Sequence, residues 1–175
     1  MKKSDLIKSI NEINDKICKL VEPNIQEVIR QYISNTSKYE LVKSKDDIKG
    51  SVGFYMVFSS NRTFTKKACK IKHNGSDFYC VYRGHSYNTK ERLISHLFYE
   101  QNSKYPNCMK IEINSKFYNI NIGKKELYPN GNNEKFPKGE WIVIRIPLSN
   151  SKQVVREMFE TAFDNKYGKP AFSKK

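Results

Sequence analysis

The chain has no apolar run long enough to cross a bilayer as a helix, and no apolar core follows its opening Met-Lys-Lys-Ser-Asp. A membrane span and a secretory leader are therefore not expected, and a cytoplasmic protein is. Cysteine is scarce. Cys18, Cys69, Cys80 and Cys108 have neither the spacing of a metal site nor that of a disulfide framework, so free thiols are expected. Internal repeats and low-complexity tracts are also lacking. Acidic residues are outnumbered, 18 Asp and Glu against 32 Lys and Arg, which leaves a net charge of +14. Such an excess attracts polyanions, nucleic acid first and an anionic membrane surface second. A general bias toward lysine would produce the same excess, so charge alone says nothing of catalysis. The 175 residues suffice for one domain, or a domain with an appendage, whose core needs no disulfide or metal.

What is present is an alternation of helical and strand-like segments. Residues 1–46 read as helical. Leu6, Ile10, Ile13, Ile17 and Leu20 recur at helical spacing, and Ile25, Val28, Ile29, Tyr32 and Ile33 form a second stripe. Pro23 suits the start of a second helix, so two helices joined by a short turn are expected. They would cover the sheet, with dimerisation as the alternative. Val52 to Ser60 reads as a strand. A basic stretch follows with Lys66, Lys67, Lys70 and Lys72, then the hairpin signal Asn74-Gly75 and a returning strand. Clustered lysines bind phosphates without reading sequence, although a solvated hairpin edge guarded by lysine has the same composition. Residues 101–139 interrupt the pattern as an inserted β-arm, with strands at Lys110–Asn114 and Phe117–Ile122 and a loop at Tyr128–Asn133. Glu140–Pro147 reads as a central strand. Val154, Val155, Met158, Phe159, Ala162 and Phe163 mark a final helix, capped by Ser149 or Ser151 and ended by Gly168-Lys169-Pro170.

One stretch draws these together. Asp77–Arg83 suits a half-buried strand, Gly84 reads as its turn, and Asn88 with Glu91 reads as the cap of a helix. Leu93 and Leu97 give that helix a core face. Arg92 and His96, four apart, share another face, and the pair could hold a phosphate.

Gly53-Phe54-Tyr55 and Tyr82-Arg83-Gly84, in that order, with Arg92 eight residues after the second glycine and an acidic C-terminal helix to follow, resemble the GIY-YIG nuclease motif. The resemblance covers roughly Gly53–Leu97 and Glu140–Ser173. It implies an α+β fold, a small antiparallel sheet flanked by helices, here with an N-terminal helical extension (1–46) and a catalytic domain (47–175) carrying the insertion. It also implies a DNA endonuclease dependent on Mg²⁺ or Mn²⁺. Compact size and the lack of a long linker look most like a type II restriction enzyme acting on double-stranded DNA as a homodimer. A toxin or mobile-element nuclease is the alternative within the family, and a non-catalytic basic nucleic-acid-binding module the alternative outside it.

By the same resemblance Tyr55 is the base that activates water and Tyr82 its neighbour in the hydrogen-bond network. Arg92 clamps the phosphate, and His96 is the basic neighbour that a tyrosine of pKa about 10 needs near neutral pH. His85, in the turn, orients water or phosphate. Periodicity does not choose between Glu157 and Glu160 as metal ligand; the family register prefers Glu160. Arg83 replaces a family isoleucine and is expected to face solvent or DNA, where Lys90 joins the basic contacts. Ser173 stands where the family has asparagine, and His73 reads as structural or DNA-proximal.

Overall fold

A computed structural model describes residues 3–60, 68–98, 110–113, 116–119, 122 and 139–173. It is a mixed α+β fold, as expected. The elements run α1 (Lys3–Ser34), β1 (Tyr39–Val42), β2 (Gly53–Ser59), β3 (Lys70–His73), β4 (Ser76–Ser86), α2 (Thr89–Leu97), β5 (Lys110–Ile113), β6 (Lys116–Asn119), β7 (Trp141–Pro147) and α3 (Gln153–Tyr167). Five strands form one antiparallel sheet in the order β1-β7-β2-β4-β3, and β5 and β6 pair separately as a hairpin.

β2 lies at the centre and all seven of its residues are buried. Its alternation feeds two cores. Tyr55 and Val57 pack with Val143, Val81 and the α2 residues Leu93 and Leu97. Phe54, Met56 and Phe58 pack with Ile142, Ile144, Ile146, the α1 residue Ile29 and the α3 residues Phe159, Ala162 and Phe163. Residues opposite one another on paired strands share a face, so the two faces can be assigned throughout: α2 covers one, and α1 and α3 cover the other.

The N-terminal region departs from expectation. α1 is one continuous helix with Pro23 inside it, not two helices. Pro23 forfeits one backbone hydrogen bond, and it falls where the packed half of α1 begins. Residues 39–42, read as helical, are instead strand β1, paired with β7 through Tyr39↔Ile144 and Val42↔Trp141. Of the insertion the paired strands and residues 122 and 139 are described; the Tyr128–Asn133 loop lies outside the described residues, as do Lys66 and Lys67. α3 begins without a side-chain cap from Ser149 or Ser151. Ser151 serves Arg156 instead: Arg156 Nη1 donates to its carbonyl at 2.5 Å and its hydroxyl at 3.1 Å.

Candidate active site

The two triplets lie side by side. β2 and β4 pair with Tyr55 opposite Gly84, Met56 opposite Arg83, and Val57 opposite Tyr82. Gly84 is therefore not a turn residue: β4 continues through it and His85 to Ser86. Its lack of a side chain is a matter of space. A Cβ there would lie 2.8 Å from the Tyr55 hydroxyl and 3.0 Å from Tyr82 Cε1. Gly53 is constrained in the same way by β7, where a Cβ would fall 2.2 Å from the Ile146 carbonyl oxygen. A register irregularity follows Val57, so Phe58 pairs with Cys80 and Val81 is extra in β4. This bulge turns both Val81 and Tyr82 toward the α2 face.

On that face Tyr55 is fully buried, with its ring centroid 6.0 Å from that of Tyr82. Tyr82 in turn packs 4.7 Å from the buried His96. The Tyr55 hydroxyl is directed at Tyr82 without the geometry of a full hydrogen bond. Burial raises the Tyr55 hydroxyl well above the usual tyrosine pKa, and burial raises Tyr82 less. Arg92, exposed on α2, pulls both downward, and the Glu160 carboxylate pushes both upward. Both hydroxyls thus keep their protons at neutral pH. α2 starts where expected: the Asn88 side chain accepts from the Glu91 N–H at 3.3 Å. A latch not legible in the sequence fixes this turn to the strand β2 entry, because the Ser51 N–H donates to Thr89 Oγ1 and the Thr89 N–H to the Ser51 carbonyl, both at 3.0 Å.

The opposite face holds a different set. Arg83, expected at solvent or on DNA, is buried: Nε and Nη2 donate to Asp164 at 3.0 and 2.5 Å, and Nη1 donates to Glu160. The cause is register. Arg83 opposes Met56, so it points under α3, where two carboxylates four residues apart meet it. His85 lies in the strand, not a turn, and its Nδ1 is 2.8 Å from Glu160 Oε1. Glu157 is exposed and accepts from Gln153 at 2.7 Å, so of the two acids only Glu160 reaches the sheet. The six catalytic candidates are thus divided: Tyr55, Tyr82, Arg92 and His96 on the α2 face, His85 and Glu160 on the α3 face. β3 covers the outer edge of β4 only from Ser76 to Tyr79, which leaves the stretch beyond to another segment. There the C-terminal segment takes over. The Phe172 N–H donates to the Val81 carbonyl at 3.0 Å, and Ser173 Oγ accepts from the Arg83 N–H at 3.4 Å.

Among the described residues no group of three His, Cys, Asp or Glu is arranged to hold a metal. Glu160, with its side chain 23% exposed, is a single hard-oxygen donor whose oxygens already accept from Arg83 and His85. It retains further lone pairs, so it fits only a Mg²⁺ or Mn²⁺ site completed by substrate phosphate and water. Of the basic candidates, Lys72 and Lys90 are exposed, and Lys70 pairs with Asp77 at 3.1 Å. His73 meets Tyr39 and Phe78 edge-on, at 5.9 and 6.3 Å.

Sequence reasoning missed Asp164 and Arg156. Asp164 was detectable as the residue one turn beyond Glu160. Arg156 gives no such signal: it is fully buried, with Tyr87 stacked 3.7 Å from its guanidinium carbon. Comparison with known families, curated proteins and solved structures yields no match to this chain.

Proposed function

We propose that this protein is a GIY-YIG-type endonuclease that hydrolyses phosphodiester bonds of double-stranded DNA with Mg²⁺ or Mn²⁺, acting as a type II restriction enzyme. The observation that carries the reading is the pairing of the triplets. Tyr55 lies over Gly84, and Tyr82 lies between Tyr55 and His96, with exposed Arg92 one turn away on the same helix. Arg92 offers a planar cationic fork to a phosphate oxygen. The net charge of +14 favours the DNA backbone as the source of that phosphate.

Attack on phosphorus requires water to lose a proton. Neither tyrosine is ionised at neutral pH, so a tyrosine that takes water's proton must pass on its own. His96 is the imidazole in ring contact with Tyr82, the less buried of the two tyrosines. Glu160 is the residue that would hold a divalent ion, which would supply charge stabilisation at the leaving oxygen. His85 and Arg83 hold that carboxylate in place.

Burial of Tyr55 and the engagement of Glu160 by Arg83 favour a second reading, a basic nucleic-acid-binding module without catalysis. Incubation of plasmid and phage DNA with either metal separates the two. Discrete fragments from wild type, with binding but no cutting by Tyr55→Phe and Glu160→Gln, support the nuclease. Binding without cutting by wild type in both metals supports the module.

A further inference from the structure

α1 has an apolar face that is covered over only half its length. Beyond Pro23 it packs on the sheet through Ile25, Val28, Ile29, Tyr32 and Ile33. Ahead of Pro23, Leu6, Ile10, Ile13, Ile17 and Leu20 recur in alternating steps of four and three. These five and Ile7 are between 44% and 79% exposed. Alternating steps of four and three are the a/d pattern of a coiled-coil seam; over two heptads the same spacing suits a helix lying on a core, and it is the exposure of these residues that marks the face as unpartnered.

The residues around the seam fit pairing with an identical helix. Asp5, Lys8, Glu12, Asp15, Lys19 and Glu22 all fall at positions away from it. Among the described residues the flanking positions are Ile7, Ser9, Asn14, Lys16, Val21 and Pro23, so Lys16 is the one charge there. Two copies can therefore approach without a ladder of like charges at the rim. Burying the six apolar side chains in both copies removes on the order of 1,000 Å² from water, the lower bound for a specific interface. Two heptads are short for an isolated coiled coil. Here the packed half of α1 already supplies the costly first turns, so the free half only has to extend an existing helix.

We infer that residues 6–20 of α1 are a dimer interface and that its occupant is the same segment of a second copy, related by a two-fold axis. The interface stands on the seam alone. Its consequence rests on the nuclease reading: a two-fold pair presents two Arg92 surfaces to the two strands of a two-fold DNA site.

Sedimentation of the full chain without DNA tests it. Wild type is expected at 41 kDa, twice the 20.5 kDa of one chain. The triple variant Ile10→Gln, Ile13→Gln, Ile17→Gln is expected at the monomer mass, with association weakened more than about a hundredfold. Glutamine keeps helix propensity and the three sites are exposed, so the helical circular dichroism of the monomer is retained. A control, Lys8→Gln with Lys19→Gln, alters the same segment off the seam and stays dimeric. Wild type that remains monomeric at tens of micromolar overturns the inference. So does a triple variant that keeps the dimer mass, or a monomer that binds anionic vesicles through this helix. A wild type that sediments as a dimer but cuts no DNA in Mg²⁺ or Mn²⁺ counts against the nuclease reading alone.

Discussion

Gly84→Ala places one methyl group into the contact that joins the two triplets. The new Cβ would sit 2.8 Å from the Tyr55 hydroxyl, 3.0 Å from Tyr55 Cζ and 3.0 Å from Tyr82 Cε1, against ordinary contacts beyond 3.4 Å. Tyr55 is fully buried in the central strand and cannot swing away. Overpacking of this kind costs about 1–3 kcal/mol. Gly84 has no positive φ, so alanine adds no backbone strain. It also restricts the unfolded chain, which returns about 0.4–1 kcal/mol. A net loss of about 1–2 kcal/mol is expected in urea unfolding at unchanged m-value. Tyr55→Phe removes the nearest atom. The double variant should therefore recover part of the loss, a coupling of about 0.5–1.5 kcal/mol in a double-mutant cycle. Gly84→Ala as stable as wild type, or additive single and double variants, would refute the close approach of Tyr55 to Gly84.

Two further outcomes follow from the site. Arg83→Met leaves the Glu160 and Asp164 side chains, 23% and 22% exposed, without their guanidinium, and a loss of about 2–4 kcal/mol in urea unfolding is expected. Adding Glu160→Gln and Asp164→Asn should restore most of it; no recovery would show that Arg83 acts by packing alone. Alkaline pH should destabilise the fold. Burial raises Tyr55 and Tyr82 in the folded state, so the unfolded chain loses those protons first. Their stabilisation is full below the ordinary tyrosine value of about 10 and is lost as pH rises above it. Buried Cys80 adds a slope of the same sign from about pH 8.5. The urea midpoint should fall between pH 8 and 11, less steeply in Tyr55→Phe; a midpoint that rises would reverse the sign.

The strands and the cap of α2 were legible because their signals are local. An apolar run marked β2, aromatic and β-branched residues marked β4, an almost continuous apolar run marked β7, and Asn88 with Glu91 marked the helix start. Arg83 was misread because its surroundings depend on register. Pairing opposite Met56 turns it under α3, and only α3's docking brings Glu160 and Asp164 to it. Gly84 was misread as a turn because glycine also serves where a neighbour leaves no room, and that neighbour, Tyr55, is 29 positions away in sequence. β1 was hidden because Tyr39–Val42 is only four residues long and follows a strongly periodic helix. The division of the candidates between two faces of the sheet was likewise beyond spacing. It depends on the bulge after Val57 and on the path of the C-terminal segment over the edge of β4.

The proposed nuclease activity resides at the Tyr82–Arg92 surface. Its most direct test is the rate at which wild type and Arg92→Ala cut supercoiled plasmid in Mg²⁺, with melting measured on the same samples. Arg92 is exposed and packs no core, so melting should be unchanged while cleavage falls by at least about a hundredfold. No cutting by wild type in Mg²⁺ or Mn²⁺, or equal cutting by the two proteins, would contradict the account.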